Sequence, residues 1–235
     1  MRLFLDTANI DHIRHGVQLG VVTGVTTNPS LVSREGKVIY RDLVREICSI
    51  VPGPVSTEVL GQDASQMVTE AREIGRWAEN IVVKIPASLE GVEATSVLAK
   101  ENIKVNFTLC FSLNQAMLAA AAGATFISPF VGRLDDIGED GMKVVVDIVQ
   151  FLSYYRLPTQ VIAASIRHTQ HCALAAKAGA HIATVPYRVL LQMIQHPLTD
   201  KGIRRFADDW RNVMGDRGIM EAFTIPKDDQ GDSAR

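Results

Sequence analysis

The run Ile81-Val82-Val83-Lys84-Ile85-Pro86 sets an ammonium at the end of what reads as a buried strand. Lysine is among the residues least often buried without a partner. Held in a partly desolvated pocket, a lysine has its pKa lowered, because burial disfavours the charged form. The neutral amine is a nucleophile that condenses with a carbonyl to give a Schiff base. Once protonated, that iminium is an electron sink, so a carbon–carbon bond two atoms away can break without a metal. The plainer alternative is an ion pair of Lys84 with Asp6 or Glu58. Lys104 is a contrast, since it opens its strand and so belongs to the opposite end.

Other polar residues fall at the ends of apolar runs. Asp6 closes the first, and Thr26 and Asn28 follow the second. Glu58 ends the third, Asn106 and Thr108 the fifth, and Ser128 the sixth, with Arg133 just beyond; Ser165 and Arg167 follow the seventh. Taken singly, each has an ordinary use: Asp6 can cap a helix and Ser165 a turn. Together they form an acid–base set and an anion site around one lysine. Imine formation expels water and cleavage removes a hydroxyl proton, and both steps need a general acid–base. Glu58 and Thr108 can hold a water between them, and Asp6 can take the hydroxyl proton. Arg133, Ser165 and Arg167 have the makings of a phosphate clamp, since guanidinium groups match phosphate oxygens bidentately. Surface salt bridging is the alternative for the two arginines. The pairs His12/His15 and His168/His171 are three apart, but neither has an evident third ligand, so no metal site is expected.

The elements that must position these groups are legible. Candidate strands are 3–6, 24–27, 55–59, 81–85, 104–108, 125–129, 160–164 and 181–185, separated by helical patterns. Asp63 with Gln66 and Ser112 with Gln115 are capping-box pairs. Thr169 opens another helix, and Gly123 and Gly179 stop two of them. Alternating strands and helices imply parallel strands, and eight of each imply a (β/α)8 TIM barrel whose strand ends converge on one pocket. Pro29, Pro86, Pro129 and Pro186 mark where chain leaves strand at that face. A further helix carries Ile203, Phe206, Trp210 and Val213 on one stripe, either a cap on the barrel's own outside or a subunit contact. Residues 1–214 are expected to form one barrel domain including this helix, and 215–235 a partly disordered polar tail.

Composition narrows the class. The 235 residues are 47% hydrophobic, enough for a large single core, and the net charge of −2 offers no footprint for nucleic acid or an anionic membrane. Cys48, Cys110 and Cys172 are odd in number and widely spaced, so neither disulfide framework nor zinc ribbon is indicated. "MRLFLDTANID" meets an aspartate too early for a signal peptide, and no apolar stretch has membrane-spanning length, so a cytoplasmic protein is expected. No dinucleotide or phosphate-loop fingerprint appears, and no cofactor is expected.

The blocks "FLDTANI", "GVTTNPSL", "STEV", "VVKIP", "NFTLCFS", "ISPFVGRLDDIG" and "VIAASIRH" together resemble the transaldolases, specifically the small single-barrel subfamily, over residues 3–214. The resemblance implies that Lys84 forms a Schiff base with a ketose phosphate and that Asp6 is the acid–base at cleavage and addition. Glu58 and Thr108 would position the catalytic water. Asn28 and Asn106 would bind the dihydroxyacetone unit, with Ser128 nearby, and Arg133, Ser165 and Arg167 would receive the phosphate. Fructose 6-phosphate aldolases share the fold, and usually carry glutamine, tyrosine and lysine where this chain has Glu58, Phe130 and Arg167. The transferase choice stands at all three positions. The resemblance also implies a homo-oligomer, a pentamer or decamer. A non-catalytic sugar-phosphate-binding barrel is a third possibility, against which Lys84 argues.

Overall fold

A computed structural model describes residues 1–222, and the polar segment KDDQGDSAR lies outside the described residues. Two compact units emerge among the described residues, 1–193 and 194–222.

In the first unit eight parallel strands close a barrel in sequence order. They are β1 (Arg2–Asp6), β2 (Val22–Thr26), β3 (Val55–Glu58), β4 (Ile81–Pro86), β5 (Val105–Cys110), β6 (Phe126–Pro129), β7 (Gln160–Ala163) and β8 (Ile182–Val185). Closure is made by β8 against β1, with Arg2 opposite Ile182 and Leu5 opposite Val185. Between strands run α1 (Ile10–Gln18), α2 (Pro29–Val32), a 3-10 turn (Ser33–Glu35), α3 (Tyr40–Ile50), α4 (Ala64–Gly75), α5 (Leu89–Lys100) and α6 (Leu113–Ala121). The remainder are α7 (Val131–Asp135), α8 (Gly141–Tyr154), α9 (Thr169–Lys177) and α10 (Tyr187–Gln192). The expected TIM barrel is therefore present. Strand bounds differ from expectation by one or two residues, and Asn28 caps α2 rather than ending a strand.

Alternation along each strand builds the site. Side chains two residues apart share a face. Leu5, Val25, Val55, Val83, Phe107, Ile127, Val161 and Val185 join the large core between barrel and helices. Phe4, Val82, Phe126, Ile162 and Ile182 form a separate cluster inside the barrel. Gly24 makes room for this plug, because a Cβ there would stand 2.5 Å from the Phe4 ring. Two residues beyond the plug on their strands come Asp6, Lys84, Ser128 and Thr184. An apolar floor thus lies beneath a polar layer, and the strand period alone carries the chain from one to the other.

The helical stops behave as expected. Asp63 and Ser112 accept from the amides of Gln66 and Gln115. The two glutamines reach back one residue further than a capping box, to the amides of Gln62 and Phe111. Gly123 and Gly179 end their helices at φ +91° and +79°. For α9 the cap is His168, not Thr169, which is the first helical residue.

In the second unit, α11 (Pro197–Met214) carries the stripe Ile203, Phe206, Trp210 and Val213 at spacings of three and four. His196 caps its start, and Trp210 Nε1 donates to the Arg217 carbonyl at 2.7 Å beyond its end. The short α12 (Ile219–Ala222) follows. Among the described residues no helix is long and apolar enough to cross a membrane.

Candidate active site

Lys84 answers the question its neighbours raise. Only 4% exposed, it donates from Nζ to the Thr27 carbonyl at 2.9 Å and to Glu58 Oε2 at 3.0 Å. Its ionic partner is Glu58, because β3 and β4 pair with Glu58 directly opposite Lys84. Asp6 belongs to another cluster. Thr26 donates from Oγ1 to Asp6 Oδ1 at 2.7 Å, and the Thr26 and Thr184 hydroxyls lie 2.6 Å apart. Burial raises the Asp6 carboxyl above its ordinary value. The Thr26 hydrogen bond and the Lys84 charge pull it down, Glu58 pushes it up, and Arg34 pulls it down. A carboxyl raised in this way sits nearer neutrality, where it can both take and return a proton.

On the other side of Lys84, β5 pairs with β4 so that Asn106 stands opposite Lys84 and Thr108 opposite Pro86. Ser128 Oγ donates to Asn106 Oδ1 at 2.6 Å, and Asn106 Nδ2 donates to Ser56 Oγ at 3.1 Å. An amide holds two donors and two lone pairs, so Asn106 keeps one of each for another molecule. Thr108 stands two residues, about 6.6 Å, further along the strand. Its hydroxyl is buried with no partner among the described residues, the kind of group that a bound molecule satisfies. The strand is irregular here: the β5–β6 register shifts between Phe107 and Cys110, and Leu109 has φ +54°. Such bulges re-aim side chains beside active sites. Asn28 uses its Oδ1 to accept from the Leu31 amide at 3.0 Å, leaving its NH2 group for other contacts.

The β6 and β7 ends are built differently. Phe130 meets Phe111 edge to face at 5.9 Å, and the Arg133 guanidinium lies 5.9 Å from the Phe130 ring centre. Arg133 sits on α7, and Ser165 and Arg167 lie on the loop after β7. Ser165 takes the left-handed φ of +58°, and its carbonyl accepts from Gly132 N at 3.1 Å. Arg167 is exposed and pairs with Asp136 at 2.6 Å, so the surface salt bridge weighed for it does form.

A family model described as Transaldolase/Fructose-6-phosphate aldolase matches residues 3–217. Probable transaldolases from Dehalococcoides mccartyi and Desulforudis audaxviator are 59% and 60% identical, each over 91% of this chain and 99% of the relative. A probable transaldolase from Methanococcus maripaludis is 55% identical over the same shares. The chain belongs to the transaldolase/fructose-6-phosphate aldolase family. A thiamine phosphate pyrophosphorylase from Pyrococcus furiosus superposes with a TM-score of 0.56 over 79% of this chain and 85% of that one. At 14% identity, that likeness is one of fold.

Several residues around this family member's strand ends escape a reading of the sequence. Thr184 and Ser56 lie buried among the polar groups, and both were reachable by counting two residues along a strand from Ile182 or back from Glu58. Gly132 is a close-approach glycine: a Cβ would stand 2.3 Å from the Ser165 carbonyl oxygen and 2.6 Å from Arg167 Nε. Arg34, on the 3-10 turn, adds its charge at Asp6. Neither Gly132 nor Arg34 has a signal in the linear pattern. The paired histidines are otherwise engaged. His12 stacks on Tyr187 at 4.0 Å, His15 Nδ1 lies 2.6 Å from its hydroxyl, and the His168 ring meets the His171 ring at a tilt. Among the described residues no three metal-ligating side chains cluster.

Proposed function

We propose that this family member is a transaldolase, moving a dihydroxyacetone unit from fructose 6-phosphate or sedoheptulose 7-phosphate to an aldose phosphate through a Schiff base on Lys84. The observation that carries the reading is the buried Lys84–Glu58 contact with Asp6 held apart on Thr26. Glu58 takes the ammonium proton, and the free amine attacks the ketose carbonyl. Loss of hydroxide as water, with the proton supplied through Glu58 and the orphan hydroxyl of Thr108, gives the iminium. Asp6, as carboxylate, takes the proton of the substrate's C4 hydroxyl. The C3–C4 bond then breaks, its electrons entering the iminium to give an enamine while the aldose phosphate leaves. Asn28, Asn106 and Ser128 hold the three-carbon unit, with Thr26 orienting Asp6, and Arg133, Ser165 and Arg167 hold the phosphate. An acceptor aldehyde reverses these steps.

The transferase outcome depends on the enamine surviving until an acceptor arrives. A phenyl ring at Phe130 has no proton to give, and its contact with Phe111 walls off that side. Replacing Phe130 with Tyr should raise cleavage without acceptor, and an unchanged ratio of cleavage to transfer would count against this role. The reading extends to the pentose phosphate pathway, a cytoplasmic setting, no cofactor and a pentameric or decameric homo-oligomer, the last testable by light scattering.

The deciding experiment follows glyceraldehyde 3-phosphate release from fructose 6-phosphate, with and without erythrose 4-phosphate. Release that needs the acceptor supports a transferase, and release without it makes the protein an aldolase using the same lysine. Borohydride added with substrate should leave a permanent adduct on Lys84, and no adduct would leave only a binding barrel.

A further inference from the structure

Behind the arginines lies a buried imidazole with no part in the lysine chemistry. His171, in the first turn of α9, is 5% exposed and bonded at both nitrogens. Nδ1 accepts the backbone N–H of Arg167 at 3.3 Å, and Nε2 lies 2.9 Å from Asp135 Oδ2. A ring that accepts at Nδ1 carries its proton at Nε2, so this is the neutral tautomer donating to Asp135. The groups facing it are His168, its ring tilted with centroids 3.8 Å apart, Asp135 from α7, and the Arg167 guanidinium. Burial lowers its pKa and the His168 charge lowers it further; Asp135 opposes them, and Arg167 lowers it again.

Asp135 is itself tied down, with Oδ1 accepting from Gly141 N at 3.0 Å. One ring therefore joins the Arg167 backbone to the end of α7, the helix that carries Arg133 two residues before Asp135. Gly132 sits in the same seam, with no space for a side chain. Two guanidiniums on separate segments grip an anion well only at a set separation, so a bond between the segments bears on affinity.

We infer that His171 is a positioning residue: its neutral ring sets the spacing of Arg133 and Arg167, and with it the preference for phosphorylated over unphosphorylated sugars. The inference rests on the reading of Arg133, Ser165 and Arg167 as the phosphate site. Protonation would put a second N–H where Nδ1 now accepts, facing the Arg167 amide, and would add a cation beside a guanidinium. The preference therefore weakens as pH falls through the His171 pKa.

The test is the ratio of kcat/KM for fructose 6-phosphate to that for fructose, with one acceptor, in wild type, His171→Leu, His171→Asn and Arg167→Ala. His171→Leu should lower the ratio about 10-fold. His171→Asn, whose amide oxygen overlies Nδ1 and keeps an acceptor for Arg167 N–H but loses the donor to Asp135, should restore part of it. The substrate phosphate titrates near pH 6 in every variant, so the pH profile of the Asn variant isolates that contribution. Wild type should lose the ratio more steeply in acid than the Asn variant. Equal losses for both sugars in His171→Leu, or parallel pH profiles for wild type and His171→Asn, would overturn the role of His171. An unchanged ratio in Arg167→Ala would instead remove the phosphate site and the inference with it. If His171→Leu fails to fold, the comparison of wild type with the Asn variant decides.

Discussion

The two sides of the barrel mouth are made by different means. On the lysine side, strand residues form buried contacts: Lys84 with Glu58, Thr26 with Asp6 and Thr184, and Asn106 with Ser56 and Ser128. On the arginine side, an exposed guanidinium on a loop pairs with an exposed carboxylate, and backbone and imidazole bonds between segments hold the frame. Charge interactions are strong where water is excluded and weak where it is not. In the proposed mechanism the bond-breaking groups therefore sit on strands, whose geometry is rigid. Groups that recognise a solvated phosphate can sit on loops, where water and substrate exchange.

Lys84→Met breaks the buried side most severely. Transfer should fall on the order of 10⁴-fold or more, since among the described residues no other amine ends a strand there. It also leaves Glu58 without its cation, costing about 3 kcal/mol of stability. Residual transfer within tenfold of wild type would remove the lysine from the chemistry.

Gly132→Ala attacks the exposed side through its frame. The added Cβ meets a backbone oxygen at 2.3 Å, and overpacking of this kind costs about 1–3 kcal/mol. A lower Tm and a raised KM for phosphorylated donor should appear together, with borohydride trapping on Lys84 preserved. A loss of trapping would show that the two sides are not independent.

Thr26→Val sharpens the contrast with the smallest change. The Thr26 hydrogen bond lowers an Asp6 carboxyl that burial raises. Without it the carboxyl moves up further and holds its proton to higher pH. Since the proposed role of Asp6 requires it ionised to take the C4 hydroxyl proton, the acid limb of kcat/KM should shift to higher pH, while the rate well above that limb falls by a factor of about 10 for the lost hydrogen bond to a charge. An unmoved acid limb would detach Asp6 from that limb.

Legibility followed the same division. The residues Asp6, Thr26, Glu58, Lys84, Asn106, Thr108 and Ser128 were visible from the sequence because each sits on or at the end of an apolar strand run, and strand period two places it on a known face. Asn28 lay one step beyond that rule, and its cap role depends on where α2 begins. Thr184 and Ser56 obeyed the rule but were hidden among residues common in any strand. Gly132, His171 and Asp136 had no such period to betray them, since their partners lie on separate segments.

By itself, the sequence determined the eight-strand parallel barrel, the mouth at the C-terminal strand ends and a lysine among carboxylates there. Those features follow from local alternation, turn residues and crossover length, each confined to a few neighbouring positions. Only the tertiary structure decided that Lys84 pairs with Glu58 and not Asp6, that Thr26 links Asp6 to Thr184 across the β8–β1 closure, and that Gly132 admits the Arg167 loop. Each depends on the register between strands or the approach of one loop to another. Such distances are set by how the whole barrel closes, and no short stretch of sequence encodes them.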